Sequence, residues 1–86
     1  MMDAMSKDEL FGKVRNRTGL SGGQVYDILP LIQGNFLNWN YNPGRLSEEI
    51  AKKLNLTQTS AQDVHIRIGE VVRDAQARGA WEVYGF

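Results

Sequence analysis

Few side chains in this chain are of the kind that make or break bonds. There is one histidine, His65, and no cysteine, so thiolate nucleophiles, disulfides and cysteine metal ligands are all excluded. His65 stands without an adjacent carboxylate pair, and no metal-ligand spacing surrounds it. No Ser-His-Asp order and no phosphate-cradling glycine loop occurs. Ser21-Gly22-Gly23 offers backbone amides ahead of a helix, but it lacks a preceding strand and a lysine, so it reads as a helix start. The expectation is a protein that is not an enzyme and carries no cofactor and no metal.

That inventory moves the question from catalysis to binding. Among 86 residues, ten Lys+Arg balance ten Asp+Glu, for a formal net charge of zero. Bulk charge therefore cannot coat nucleic acid, and any anion contact must come from local segregation. Lys13, Arg15 and Arg17 form one basic segment, read first as a solvated helix face and alternatively as a phosphate-contacting patch. The 42% hydrophobic content is enough for one packed core. No run approaches the ~18 apolar residues of a membrane span. Met1-Met2-Asp3-Ala4-Met5 lacks the basic head and apolar stretch of a signal peptide. These features predict a single domain over residues 1–86, in the cytoplasm and away from the membrane.

The elements that must position any binding residue are legible from caps and periodicity. Ser6-Lys7-Asp8-Glu9 reads as a capping box opening a helix from about Lys7 to Thr18, with Gly19 at its left-handed end. Ser21-Gly22-Gly23-Gln24 opens a second helix, striped by Val25, Ile28, Leu29, Ile32 and Phe36 and running to near Trp39. Pro30 is expected to kink or divide it near Asp27. Asn42-Pro43-Gly44-Arg45 fits a type II turn, after which Ser47 caps a third helix. Ser60 is assigned as the cap of a fourth, ending at Arg78 before Gly79, with Ala61, Val64, Ile68, Val71, Val72 and Ala75 on its core face. Trp81, Val83, Tyr84 and Phe86 favour a short terminal strand. Trp39 and Tyr41 form a satellite core with that tail. Gly19-Leu20-Ser21 and Asn55-Leu56-Thr57 match as loose repeats of one helix–turn–helix unit.

Residues 47–66 carry the most information. Ile50 and the small Ala51 face inward, Leu54 closes the first helix, and Asn55 follows Ala51 by four positions, where a left-handed residue is needed. Leu56 plugs the turn, and Ala61 and Val64 seat the next helix. This spacing resembles a DNA-binding helix-turn-helix, and with a short strand at Arg45-Leu46 and a partner at Trp81–Phe86 it resembles the winged helix-turn-helix superfamily. The implied fold is mainly α: a small trihelical core with an extra helix, a short C-terminal strand and an incomplete wing. Glu9 to Ser21 also looks like the opening helices of the histone-like HU family, through a shared packing solution and not through kinship.

In a helix-turn-helix protein the second helix enters the major groove of double-stranded DNA. The resemblance then implies that Thr57, Gln58, Thr59, Gln62 and His65 face bases, while Arg45, Lys52, Lys53 and Arg67 reach phosphates. Ile66, off the apolar stripe, either fills a gap or meets a partner. The implied function is a small DNA-binding protein or transcriptional regulator. The alternative is a protein–protein interaction module, or a structural subunit of a larger assembly, binding through Trp81, Tyr84 and Phe86. The open edge of the terminal strand also offers a homodimer.

Overall fold

The computed structural model describes residues 5–37, 41–78 and 83–84. Over these residues the chain is mainly helical. Four helices, α1 (Lys7–Thr18), α2 (Gly22–Ile32), α3 (Pro43–Leu54) and α4 (Gln58–Ala77), are accompanied by two-residue strands β1 (Met5–Ser6) and β2 (Val83–Tyr84). Trp39, Gly79, Trp81 and Phe86 lie outside the described residues.

The first two helices start as their sequences require. Ser6 Oγ accepts the Glu9 N–H at 3.0 Å. At Ser21 both halves of a capping box form: its Oγ accepts from Gln24 N–H, and its own N–H donates to Gln24 Oε1. Gly19 ends α1 at φ 73°, with its N–H on the Arg15 carbonyl. These bonds satisfy amides and carbonyls that a helix end otherwise leaves orphaned.

Several expectations are corrected. Arg45-Leu46 is not a strand but the first turn of α3, and Leu46 is fully buried. Asn42-Pro43-Gly44 is not a free-standing turn: Asn42 Oδ1 accepts the Arg45 N–H, and Pro43 sits at the helix start, where its missing N–H costs nothing. Ser47 is therefore an interior residue of α3 and not its cap. In the same way Thr57, not Ser60, caps α4, because Thr57 Oγ1 accepts the Ser60 N–H. Pro30 does not divide α2. It lies on the exposed side, and the helix continues to Ile32 before widening into a π-helical turn at Gln33–Leu37. Lastly, β2 pairs in parallel with β1, Met5 opposite Val83 and Ser6 opposite Tyr84; Arg45-Leu46, being helical, has no ladder edge to offer.

The loose repeat proves to run in strict register. Every landmark of the first unit recurs thirty-six positions later: α1 from Lys7 to Thr18 maps onto α3 from Pro43 to Leu54, and the start of α2 onto the start of α4. The caps Ser6 and Ser21 correspond to Asn42 and Thr57, and the left-handed Gly19 to the left-handed Asn55 (φ 53°). Leu20 and Leu56 both plug their turns against the core. Buried Leu10, Val14, Val25, Ile28 and Ile32 correspond to buried Leu46, Ile50, Ala61, Val64 and Ile68. Packing obeys the same rule. α1 lies on α2 and α4, while α3 lies on α4 and α2, so exchanging the two units leaves the contact pattern unchanged. That is the pattern of an approximate two-fold axis. The stripe of α4 from Ala61 to Ala75 forms the wall shared by both units.

Two substitutions test this arrangement by chemical denaturation. Leu46→Ala is expected to cost about 2–5 kcal/mol, as truncation of a buried leucine does. Asn55→Gly should be close to neutral, whereas Asn55→Val should cost about 1–2 kcal/mol, because a β-branched side chain resists the left-handed backbone.

Candidate nucleic-acid interface and the polar trio beside it

The second unit has the local geometry of a helix-turn-helix. The Asn55 N–H closes α3 on the Ala51 carbonyl, and the Leu56 N–H donates to the same oxygen at 3.0 Å. The left-handed Asn55 reverses the chain, half-buried Leu56 holds the bend, and Thr57 starts α4. The first turn of α4 contains no acidic residue, so its positive end is not neutralised from within.

The structure sorts the nine candidate contact residues into two groups. Lys52, Lys53, Gln58, Thr59 and Gln62 are exposed, and among the described residues none is held by a hydrogen bond or ion pair. The other four are engaged within the fold. Thr57 spends its hydroxyl on Ser60, accepting from the backbone N–H and donating to Oγ. Arg45 pairs with Glu49 at 3.0 Å one turn on. Arg67 pairs with Asp63 at 2.9 Å and donates to the Arg17 carbonyl at 3.2 Å. It therefore lies on the α1 side of α4, about 200° around the helix from His65. His65 itself is half-buried, with both ring nitrogens engaged. Tyr84 pairs through its backbone with Ser6. Ile66 does not fill a gap: it is 63% exposed.

His65 is the centre of a cluster that its sequence neighbourhood does not announce. Ser47 Oγ lies 2.8 Å from Nδ1, and the Tyr41 hydroxyl lies 2.8 Å from Nε2. Either hydroxyl can donate or accept, so one ring nitrogen donates and the other accepts in the neutral imidazole. Phe36 covers the cluster, its ring centroid 4.9 Å from that of Tyr41 and 6.3 Å from that of His65. Ser47 is buried, and burial holds the His65 pKa below its ordinary 6.5 by disfavouring the charged ring.

The internal repeat shows how unusual this trio is. Subtracting the repeat offset from Tyr41, Ser47 and His65 gives Met5, Phe11 and Leu29. The first unit fills these three positions with apolar side chains, of which Met5 and Leu29 are buried and Phe11 packs on the core. The second unit replaces all three with a hydrogen-bonded chain at the same places on the scaffold. The trio ties the segment before α3, the first turns of α3 and the second turn of α4 together. Its role is to fix the direction of α4 relative to α3. The repeat register was the one signal in the sequence able to single it out.

No family model, curated protein or solved structure matches this chain. Among the described residues no helix is long and apolar enough to cross a membrane.

The trio makes two measurable demands. Because His65 has a lowered pKa in the folded state, its contribution is intact above pH ~6.5 and declines as pH falls below it, since the unfolded chain binds the proton more readily. The wild type should therefore lose stability between neutral and mildly acidic pH more steeply than His65→Gln, in denaturation curves taken across that range. Removing His65 alone should cost about 1–3 kcal/mol by stranding the Ser47 hydroxyl. Restoring the apolar set, Tyr41→Met with Ser47→Phe and His65→Leu, should cost less than His65→Ala, because no polar partner is left unmatched.

Proposed function

We propose that this protein is a small, cytoplasmic helix-turn-helix DNA-binding protein of regulatory type, reading duplex DNA with the first two turns of α4. The observation that carries this reading is the α3–α4 unit. A left-handed Asn55, a Leu56 plug and a Thr57 cap present Gln58, Thr59 and Gln62 together, exposed and uncommitted, at the positive end of a helix. Glutamine can pair in two-point fashion with adenine, and exposed Ile66 one turn on from Gln62 can meet a thymine methyl. Lys52 and Lys53, in the last turn of α3, supply phosphate contacts that position the reading helix. The reading does not include a wing. The strand pair is parallel and two residues long, and a hairpin wing needs antiparallel strands.

A second reading, protein–protein interaction through the same trihelical surface, is favoured by charge placement. Arg45 and Arg67 are neutralised by Glu49 and Asp63, and Asp63 and Glu70 sit among the exposed residues of α4. Exposed Ile66 would then anchor a protein partner, and a homodimer along the free edge of β2 belongs to this alternative.

Mobility shift against mixed-sequence duplex DNA, at low and moderate salt, separates the two. On the DNA reading a complex forms at low salt. Lys52→Ala and Lys53→Ala then weaken all sequences alike, each lowering the salt slope by about one. Gln62→Ala instead narrows the difference between preferred and other sites, by a factor of about 10 for a lost two-point base contact. Absence of any complex at low salt would discard the DNA reading in favour of the protein partner.

A further inference from the structure

The basic segment of α1 is left unused by the interface on α4. Lys13 and Arg17 come from consecutive turns of α1 and face α4, where Arg78 approaches from its C-terminal end. With Asn16, Val71 and Asp74 they line an open cleft of about 370 Å³. Asp74 is paired with Arg17 at 3.0 Å, and Asp63 with Arg67. Arg78 donates to the Asp74 main-chain carbonyl and has no carboxylate partner among the described residues. Lys13 has no polar partner among them at all. The lining thus holds three cations and one carboxylate, with exposed Glu70 one turn before Asp74 on the same face of α4.

The two units place their charges differently around equivalent clefts. In the equivalent cleft between α2 and α3, Glu49 stands where this one has Lys13. Lys52 and Lys53 occupy the positions of Asn16 and Arg17. Charge offsetting at the C-terminal end of α1 accounts for Arg15 and Arg17, which lie in its last turn. Arg78 does the same for α4, capping it and donating to the Asp74 carbonyl; Lys13, a turn earlier in α1, has no such role.

We propose that the α1–α4 cleft is a binding site for closely spaced phosphate groups, as carried by a nucleic-acid backbone or by free inorganic polyphosphate. Arg17 and Arg78 present planar, multiply donating heads, Lys13 adds a mobile point charge, and the Asn16 amide adds a neutral donor. The cleft lies on the opposite flank of α4 from His65 and Gln62, so it binds independently of the base-reading turn. Backbone phosphates there would belong to a second stretch of nucleic acid.

The test uses the full chain and the double variant Lys13→Gln, Arg78→Gln, alongside Gln62→Ala. Circular dichroism melting should be unchanged in the double variant, since neither side chain fills the core. Amide chemical shifts are tracked with inorganic tripolyphosphate as one probe and mixed-sequence duplex DNA as the other. Saturable shifts at residues 13–17 and 74–78 with tripolyphosphate, weakened about tenfold or more in the double variant and untouched by Gln62→Ala, are the expected result. If the duplex also shifts these residues, and its salt slope falls by about two in the double variant, the source is a nucleic-acid backbone; if only tripolyphosphate does, the source is a free polyphosphate. Equal binding of both probes by wild type and double variant, or no shift in the cleft with either, overturns the proposal whatever becomes of the α4 reading.

Discussion

The shape of this molecule depends on one backbone constraint imposed twice. At Gly19 and at Asn55 the chain must pass through the left-handed region to leave one helix and enter the next. Beyond both turns a leucine points into the core, and a hydroxyl residue then caps the new helix. Asparagine can take this conformation because its short polar side chain crowds the backbone less than a branched one. The two turns set the angle within each unit. Those angles in turn set how the two pairs can interlock around the apolar stripe of α4.

On that common scaffold the two units have been given different contents. The first unit is the more conventional structural element, with Met5, Phe11 and Leu29 making an apolar joint. The second gives up those contacts for a chain of three polar groups that runs from exposed Tyr41 through half-buried His65 to buried Ser47. It does so without loss, for among the described residues no buried side-chain nitrogen or oxygen is left unsatisfied. A directional joint of hydrogen bonds holds an orientation more strictly than an apolar one. The charges differ too: Lys13, Arg17 and Arg78 line the α1–α4 cleft with Asp74, and Lys52 and Lys53 its counterpart with Glu49.

Much of this is legible in the sequence, for local reasons. Ser6, Ser21, Gly19 and Asn55 act within a few residues of themselves, and their roles can be read directly. The core stripe of α4 is equally plain, because burial tracks helical periodicity. Asn42-Pro43-Gly44 misleads because the same three residues suit a tight turn and a helix start, and only Leu46, drawn into the core, decides between them. With the start of α3 moved forward, Ser47 ceases to be a cap and becomes an interior residue. His65 is unreadable for a different reason. Its partners lie eighteen and twenty-four residues away, and nothing local distinguishes it from a solvated side chain. The pairing of β2 escapes sequence reading because Met5 gives no strand signal on its own.

The parallel pairing of β1 with β2 bears on the order in which the structure is made. Each helical pair closes over a short stretch of chain, so its contacts are cheap in loop entropy and form early. Met5 and Val83 can meet only after almost the whole described chain has been gathered between them. The strand pair therefore closes the longest loop in the described fold and carries its largest closure entropy. The buried side chain of Met5 thus fastens the start of the described chain to a segment near its far end.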